Sequence, residues 1–184
     1  IPTALSLLRY IEKEMHRRRK VLYEAGVVKI QDYKGNMPYF VLIIDEFGLF
    51  NPKGVTDKQE KEMRQECHAI VANIAQLARK VGIHLVVACQ RPDRDVLPGL
   101  IKGNIDGKLS FRTINRTNSE IILDDGAAAD LPNIQGRVIW QVGNIQTECQ
   151  VMLCSPEQSK KILKEKGAIR GDWFKRKRNR LAAG

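Results

Sequence analysis

Two features that mark common protein classes are missing or scarce in this chain of 184 residues. No apolar run approaches the roughly 18 residues of a transmembrane helix, so the sequence predicts no membrane-spanning segment. There are four cysteines (Cys67, Cys89, Cys149 and Cys154), and no two of them form a CxxC pair. We therefore expect reduced thiols in a cytosolic setting rather than a zinc site or a disulfide framework.

The start of the chain lacks targeting signals as well. Residues 1–4 show no initiator methionine, no charged leader and no cleavage pattern, so no signal peptide is predicted. We expect the chain to be an excised piece of a longer protein. Its length suits one sizeable core or a large fragment of a bigger domain.

Positive charge is abundant but unevenly distributed. The net charge is +10, and residues 170–184 carry six basic side chains against the single acid Asp172. A second cluster covers residues 16–20. Such clusters suit a phosphate backbone or an anionic lipid surface, and a solvated helix face with a disordered tail is an equally good interpretation. Trp173 and Phe174 fit either stacking on bases or docking of the tail.

A continuous apolar run from Tyr39 to Ile44 ends in two carboxylates, Asp45 and Glu46. A run of this length predicts a strand buried on both faces, as in a parallel α/β sheet, whose ligands lie beyond the carboxyl ends of the strands. Asp45 suits a magnesium ion held through its water shell, and Glu46 suits deprotonation of an attacking water. The pattern is typical of a Walker B motif. A loop that starts with two solvated acids is the alternative.

A second apolar run, from His84 to Cys89, is followed by Gln90, Arg91 and Pro92. Gln90 at a strand end suits a hydrogen bond to a γ-phosphate or to the attacking water. Arg91 offers a planar fork to phosphate or carboxylate. The alternative is a surface loop that Pro92 ends.

Hydrophobic periodicity predicts the remaining elements. The spacing predicts a helix over 3–25 that Gly26 closes. A long helix, capped by Asp57 and closed by Gly82, connects the two strands into a right-handed βαβ unit. Further on, the patterns predict a strand over 108–112, a helix over 118–123 capped by Asn118 or Thr117, a hairpin of strands 137–142 and 147–153 across Gly143-Asn144, and a closing helix from Pro156 to about Gly167.

Several segments together carry a resemblance to a known family. PYFVLIIDEF, NIAQLARKVGIHLVVACQRP, DVLPGLIKGNI and NRTNSEIILDDGAA follow in an order and spacing that closely resemble the motor domain of the FtsK/SpoIIIE family. The likeness covers roughly residues 5–153. It implies an α/β fold, part of a RecA-like P-loop NTPase core with a mostly parallel sheet flanked by helices, and a C-terminal β-hairpin and helix. Asp45 and Glu46 match the family's Walker B pair, and Gln90 matches its sensing glutamine.

The resemblance also implies cofactors and partners. ATP and Mg²⁺ are the expected cofactors, double-stranded DNA is the expected polymer, and a homo-oligomeric, hexameric ring is the expected assembly. Relaxosome, division or transfer proteins are further expected partners. Relatives work in the cytoplasm at the inner face of the cell membrane, to which an upstream region anchors them. Type VII secretion ATPases of the same superfamily move protein instead.

The chain departs from the family pattern in ways that shape the expectation. It contains no GxxxxGK[ST] loop, so we expect that loop upstream of Ile1 and expect no ATP hydrolysis by this piece alone. Residues 1–168 would be the C-terminal portion of a motor domain and 169–184 a flexible basic tail, too short for a winged-helix module, which favours a conjugative coupling ATPase. Glu120 stands where division-type translocases carry an arginine. The substitute candidates for a trans-acting arginine are Arg112, Arg116 and Arg91.

Three hypotheses of function follow. The first is a DNA-translocating ATPase, in which Arg94, Lys102 and Lys108 either contact DNA or a neighbouring subunit or are merely solvated. The second is a protein-secretion ATPase, which DNA would not stimulate. The third is a non-catalytic interaction module, suggested by the missing phosphate loop.

Overall fold

The computed structural model describes residues 1–93 and 95–167, which fall into two compact units, 1–149 and a second unit that starts at Gln150. Arg94 and the basic tail with Trp173 and Phe174 lie outside the described residues. The elements confirm the α/β class. They are α1 (Pro2–Glu24), β1 (Phe40–Ile44), α2 (Lys58–Leu77), β2 (Ile83–Val87), α3 (Gly99–Gly103), β3 (Gly107–Phe111), α4 (Arg116–Leu123), β4 (Arg137–Val142), β5 (Ile145–Gln150) and α5 (Pro156–Glu165).

The first layer is the predicted βαβ unit. β1 and β2 pair in parallel, from Phe40 opposite Ile83 to Ile44 opposite Val87, and α2 connects them. The Asp57 side chain caps α2 by accepting the N–H of Glu60 at 2.6 Å. The helix predicted to run up to Gly82 ends earlier, at Leu77, and a short 3₁₀ turn over Arg79–Val81 completes the segment.

α1 packs on α2 and completes the core of this layer. Its apolar residues Leu8, Ile11, Met15 and Leu22 are buried, as the helical spacing predicted. Gly26 follows the last turn with a φ of +70°, a conformation that glycine adopts without the Cβ penalty.

One prediction about β1 is wrong. The strand is not buried on both faces: Leu42 and Ile44 are buried, whereas Val41 is 61% and Ile43 is 67% exposed. Successive side chains of a strand point to opposite faces. The core made with α1 and α2 covers only one of these faces in the part of the chain that the structure describes.

The second layer of the first unit is an antiparallel sheet in the order β3, β4, β5. β3 pairs with β4 from Gly107 opposite Val142 to Phe111 opposite Val138. The hairpin between β4 and β5 turns at Gly143, whose φ is +57°, as predicted. β5 covers Ile145–Gln150 instead of the predicted 147–153, because the strand starts directly after the two-residue turn.

The cap of α4 also differs from the prediction. Asn115, rather than Asn118 or Thr117, is the N-cap, and its side chain accepts the N–H of Asn118 at 2.8 Å. Three residues that cap helices well occur within four positions, so composition alone did not choose between them. The helix therefore begins two residues earlier, at Arg116.

In the second unit, the predicted closing helix is present as α5. Ser155 caps it with a reciprocal pair of hydrogen bonds to Gln158, and Pro156 lies in the first turn. Gly167 follows the helix with a φ of +67°. No helix among the described residues is long and apolar enough to cross a membrane.

The basic cluster at residues 16–20 does not form one solvated face. Arg18 is 1% exposed, donates from Nε to Glu14 at 2.9 Å and from Nη1 to the carbonyl oxygen of Val81 at 3.1 Å, and lies over the ring of Phe40. Arg17 also binds Glu14, at 2.7 Å. Arg18 is therefore a core residue that joins α1 to the parallel layer, and it is not available to an external phosphate.

Candidate functional site

The candidate site lies where β1 and β2 end at the same edge of the sheet. The N–H of Ala88 donates to the carbonyl of Ile44 at 2.8 Å, and the N–H of Phe47 donates to the carbonyl of Ala88 at 2.9 Å. These bonds continue the parallel ladder past the strand ends. The segments that carry Asp45, Glu46 and Gln90 are thereby brought side by side.

Glu46 is the best-held side chain at this edge. Its Oε1 accepts the backbone N–H of Gly48 at 2.8 Å, and its Oε2 accepts the backbone N–H of Gln90 at 3.1 Å. Glu46 is partly buried, whereas Gln90 is exposed. The structure thus brings together the two residues that the sequence placed at neighbouring strand ends.

Asp45 and Arg91 are exposed at the rim of the same edge. Neither side chain makes a hydrogen bond or ion pair with another residue in the described ranges. An exposed carboxylate of this kind fits a magnesium ion bound through its water shell, since that ion dehydrates reluctantly. The described residues contain no group of three or more His, Cys, Asp or Glu side chains that would bind a metal directly.

Cys89, the residue directly before Gln90, is partly buried. Its thiol donates to the carbonyl oxygen of Arg91 at 3.0 Å. Burial raises the pKa of the Cys89 thiol. The thiol therefore stays protonated near pH 7 and acts as a small packing residue, in line with the sequence interpretation.

A contact that sequence reasoning missed joins the two loops beyond the strand ends. Lys53, in the loop after β1, pairs with Asp95, in the loop after β2, at 2.5 Å. Both side chains are largely exposed, and the pair raises the pKa of the Lys53 ammonium through its hydrogen bond to Asp95. The two residues are 42 positions apart, so no local pattern signals the contact.

Lys102 and Lys108 lie away from this edge. Both ammonium groups bind the Asp124 carboxylate, at 2.6 Å and 3.4 Å, and their side chains are only 15% and 17% exposed. Asp124 is the one described non-glycine residue with positive φ, at +70°. The hydrogen bond from Lys102 is the main reason that the pKa of Asp124 is lowered. These lysines are therefore intramolecular ion-pair partners and not simply solvated.

The arginine candidates differ in their surroundings. Arg116 binds both carboxylate oxygens of Asp130, at 2.8 Å and 3.1 Å. Arg112 is exposed after β3, and its side chain makes no ion pair or hydrogen bond with the described residues. Within the described ranges, Arg112 and Arg91 have no side-chain partner, whereas Arg116 is paired with Asp130.

Comparison with known proteins places this geometry in a family. No protein-family model matches the sequence. A DNA translocase FtsK of Chlorobaculum tepidum is 34% identical over 134 residues, which are 70% of this chain and 15% of that protein. The chain thus spans less than a fifth of the length of that relative.

Solved structures agree with the sequence relatives. The conjugation coupling protein TcpA of pCW3, in a monomer form with ATPγS, is 28% identical, with a TM-score of 0.82 over 90% of this chain and 49% of TcpA. The type VII secretion ATPase EccC of Thermomonospora curvata shares the fold, at 20% identity and a TM-score of 0.67 over 84% of this chain and 18% of EccC. The predicted fold is confirmed, and the chain is a homologue of FtsK that belongs to the FtsK/SpoIIIE family of motor ATPases.

Proposed function

We propose that the full-length protein is an ATP-driven translocase for double-stranded DNA that works in conjugative transfer or chromosome segregation. The observation that carries the proposal is the hydrogen bond between Gln90 and Glu46 beyond the ends of two parallel strands. Glu46 directly follows Asp45 in the sequence. The relatives support the proposal, because FtsK is a DNA translocase and TcpA a conjugation coupling protein. The net charge of +10 suits a polyanionic substrate.

ATP and Mg²⁺ are the cofactors of this reaction. Asp45 would hold the magnesium ion through its water shell. Glu46 accepts the proton of the attacking water, and the side chain of Gln90 contacts the γ-phosphate or that water. Arg91 offers its guanidinium to phosphate. A magnesium ion held there would supply neutralisation of the charge that develops on the phosphate oxygens.

The hydrogen bonds to Glu46 are compatible with the role of a base. Both carboxylate oxygens accept one backbone N–H each. An ionised carboxylate has about four acceptor positions, so each oxygen keeps capacity for a water molecule. The two backbone donors therefore orient the carboxylate without exhausting it.

The assembly that we propose is a hexameric ring at the inner face of the cytoplasmic membrane. Residues upstream of this chain supply the phosphate-binding loop and the membrane anchor. Relaxosome, division or transfer proteins deliver the DNA. Arg112 and Arg116 are the candidates for contact with a neighbouring subunit, and Arg116 must first leave Asp130.

ATP turnover of the full-length protein, with and without double-stranded DNA, tests the proposal. We expect DNA to stimulate turnover and Glu46→Gln to lower it by about 10²–10⁴-fold, the usual contribution of a general base. Glu62→Gln changes an exposed carboxylate on α2 and serves as the matched control with unchanged turnover. Full turnover in Glu46→Gln would remove Glu46 from this role. A wild-type protein without any turnover would favour the interaction module.

A protein-secretion ATPase is the second candidate, and the fold likeness to EccC is the observation that favours it. This function requires a peptide-binding site and turnover that is indifferent to DNA. Robust ATP hydrolysis with no response to DNA would therefore move the assignment from DNA translocation to protein secretion.

A further inference from the structure

A cavity of about 420 Å³ lies beside the loop that follows the acid pair. Its walls come from residues 51–54 of this loop, from Lys61 and His68 on α2, and from Asp95 in the loop after β2. The residues assigned to hydrolysis do not line it. The cavity is therefore distinct from the candidate hydrolysis site, although the same two loops border both.

The cavity carries an excess of positive charge. Lys53 pairs with Asp95 at 2.5 Å, whereas the ammonium group of Lys61 has no ion pair or hydrogen bond within the described part of the chain. Burial lowers the pKa of the His68 imidazole, which is therefore neutral at pH 7. Among the described residues that line the cavity, two ammonium groups thus accompany one carboxylate.

His68 supplies a second, independent observation. Its ring stacks on Phe47 with 4.7 Å between the ring centroids, and its Nε2 atom is buried without a hydrogen-bond partner among the described residues. An unpaired buried polar atom costs about 1–3 kcal/mol. Phe47 directly follows Glu46, so this wall of the cavity adjoins the candidate base.

The lining favours a phosphate group. Among the described residues, no phenylalanine, tyrosine or tryptophan lines the cavity, so a nucleobase finds no ring of that kind there to stack on. The excess of one ammonium group over carboxylates among the described lining residues suits the single negative charge of a phosphodiester. The Lys53–Asp95 pair is exposed, at 73% and 49%, and such pairs contribute little stability, so Lys53 can exchange Asp95 for another anion at low cost.

We propose that this cavity binds one phosphate of the DNA backbone, with the ammonium groups of Lys53 and Lys61 as its charge partners. The inference rests on the proposed function, since it names a contact that a DNA translocase makes. In addition, the site would connect DNA binding to ATP hydrolysis, because the loop that carries Lys53 begins at Glu46, the candidate base.

Binding of double-stranded DNA by the full-length protein at several salt concentrations tests the site. We expect Lys53→Gln/Lys61→Gln to bind DNA more weakly. The slope of log affinity against log salt should fall by about 0.9 for each cavity that contacts DNA, the value for one neutralised phosphate. Lys58→Gln, an exposed lysine on the same helix, is the matched control and should leave the slope unchanged.

Each outcome separates the site from the wider proposal. A wild-type protein that does not bind DNA overturns both the site and the proposed function. A double variant with the wild-type slope overturns the site alone. Inorganic phosphate, titrated by calorimetry, distinguishes the source: phosphate binding that the double variant loses, with unchanged DNA binding, assigns the cavity to free phosphate. If the double variant unfolds at a lower temperature than the wild type, Lys61→Gln alone gives the same test of DNA binding. This substitution removes no contact among the described residues.

Discussion

The backbone N–H of Gln90 donates a hydrogen bond to Oε2 of Glu46 at 3.1 Å, across 44 residues of sequence. The main chain of Gln90 therefore holds the candidate base, while its side-chain amide makes no hydrogen bond within the described ranges. Parallel pairing of β1 and β2 produces this arrangement, because it brings both strand ends to one edge. The backbone of Gln90 thus positions Glu46, and in the proposed mechanism its side chain contacts the γ-phosphate or the attacking water.

This division of roles makes Gln90→Ala informative, because the variant keeps the N–H that binds Glu46. A hydrogen bond to a charged group contributes about 1.5–3 kcal/mol, so we expect kcat of ATP hydrolysis to fall by about 10–100-fold. Steady-state kinetics of the full-length protein with DNA measure this effect. Gln76→Ala, at an exposed position on α2, is the control. An unchanged kcat would show that the amide does not contact the reacting phosphate.

Gly82 is expected to resist substitution for two separable reasons. Its φ is +74°, and a Cβ there would lie 2.4 Å from Cδ1 of Ile30. Gly54 has a similar φ of +77° with no atom within 4 Å of a Cβ. The left-handed conformation alone costs an alanine about 1–2 kcal/mol, so Gly54→Ala should lose that amount of unfolding free energy and Gly82→Ala more. Urea unfolding measures both variants, and equal losses would mean that Ile30 moves away freely.

Glu14 makes the stability of the protein sensitive to acid. Hydrogen bonds from Arg17 and then Arg18 lower the pKa of its carboxyl from 4.5 to about 2. Between about pH 2 and pH 4.5, the unfolded state therefore binds more protons at this carboxyl than the folded state does. The stabilisation is complete above pH 4.5 and is lost as pH falls through the folded pKa.

Glu14→Gln should remove this acid dependence. It also leaves the buried Arg18 without a charged partner, which we expect to lower the free energy of unfolding by about 3 kcal/mol. Chemical denaturation between pH 3 and pH 7 measures both effects. Glu24→Gln removes the exposed pair with Lys20 and should change stability by less than about 0.5 kcal/mol. Equal losses in the two variants would contradict the role assigned to Glu14.

His68 should give a pH dependence of the same sign, nearer to neutral pH. Burial lowers the pKa of its imidazole from 6.5, so the folded state favours the neutral ring. Stability is therefore complete above pH 6.5 and is lost as pH falls through the folded pKa. His68→Phe keeps the stack on Phe47 and removes the unpaired Nε2, which should raise the free energy of unfolding by about 1 kcal/mol.

The same variant should flatten the pH dependence below pH 6.5. Denaturation at several pH values checks both expectations for His68→Phe. His16→Gln, at an exposed position of α1, is the control and should leave the pH dependence intact. A less stable His68→Phe protein would indicate that Nε2 has a favourable interaction.

The predictions that succeeded depend on local pattern. The run that ends at Asp45 and Glu46, the helical spacing of α1 and the glycines after the helices each describe neighbouring residues, and neighbours decide backbone propensity. The predictions that failed concern features that depend on tertiary contacts. The exposed side of β1 depends on which elements cover the strand, and the cap of α4 depends on which of three similar residues the loop from β3 presents first.

By itself, the sequence determined the order of the strands and helices, the family, and the residues that end the two parallel strands, because apolar periodicity and short motifs are local properties. Only the tertiary structure decided the partners of the charged residues. It buried Arg18, joined Lys53 to Asp95, and bound Lys102 and Lys108 to Asp124. Ion pairs between distant residues depend on the path of the whole chain, and no spacing in the sequence specifies that path.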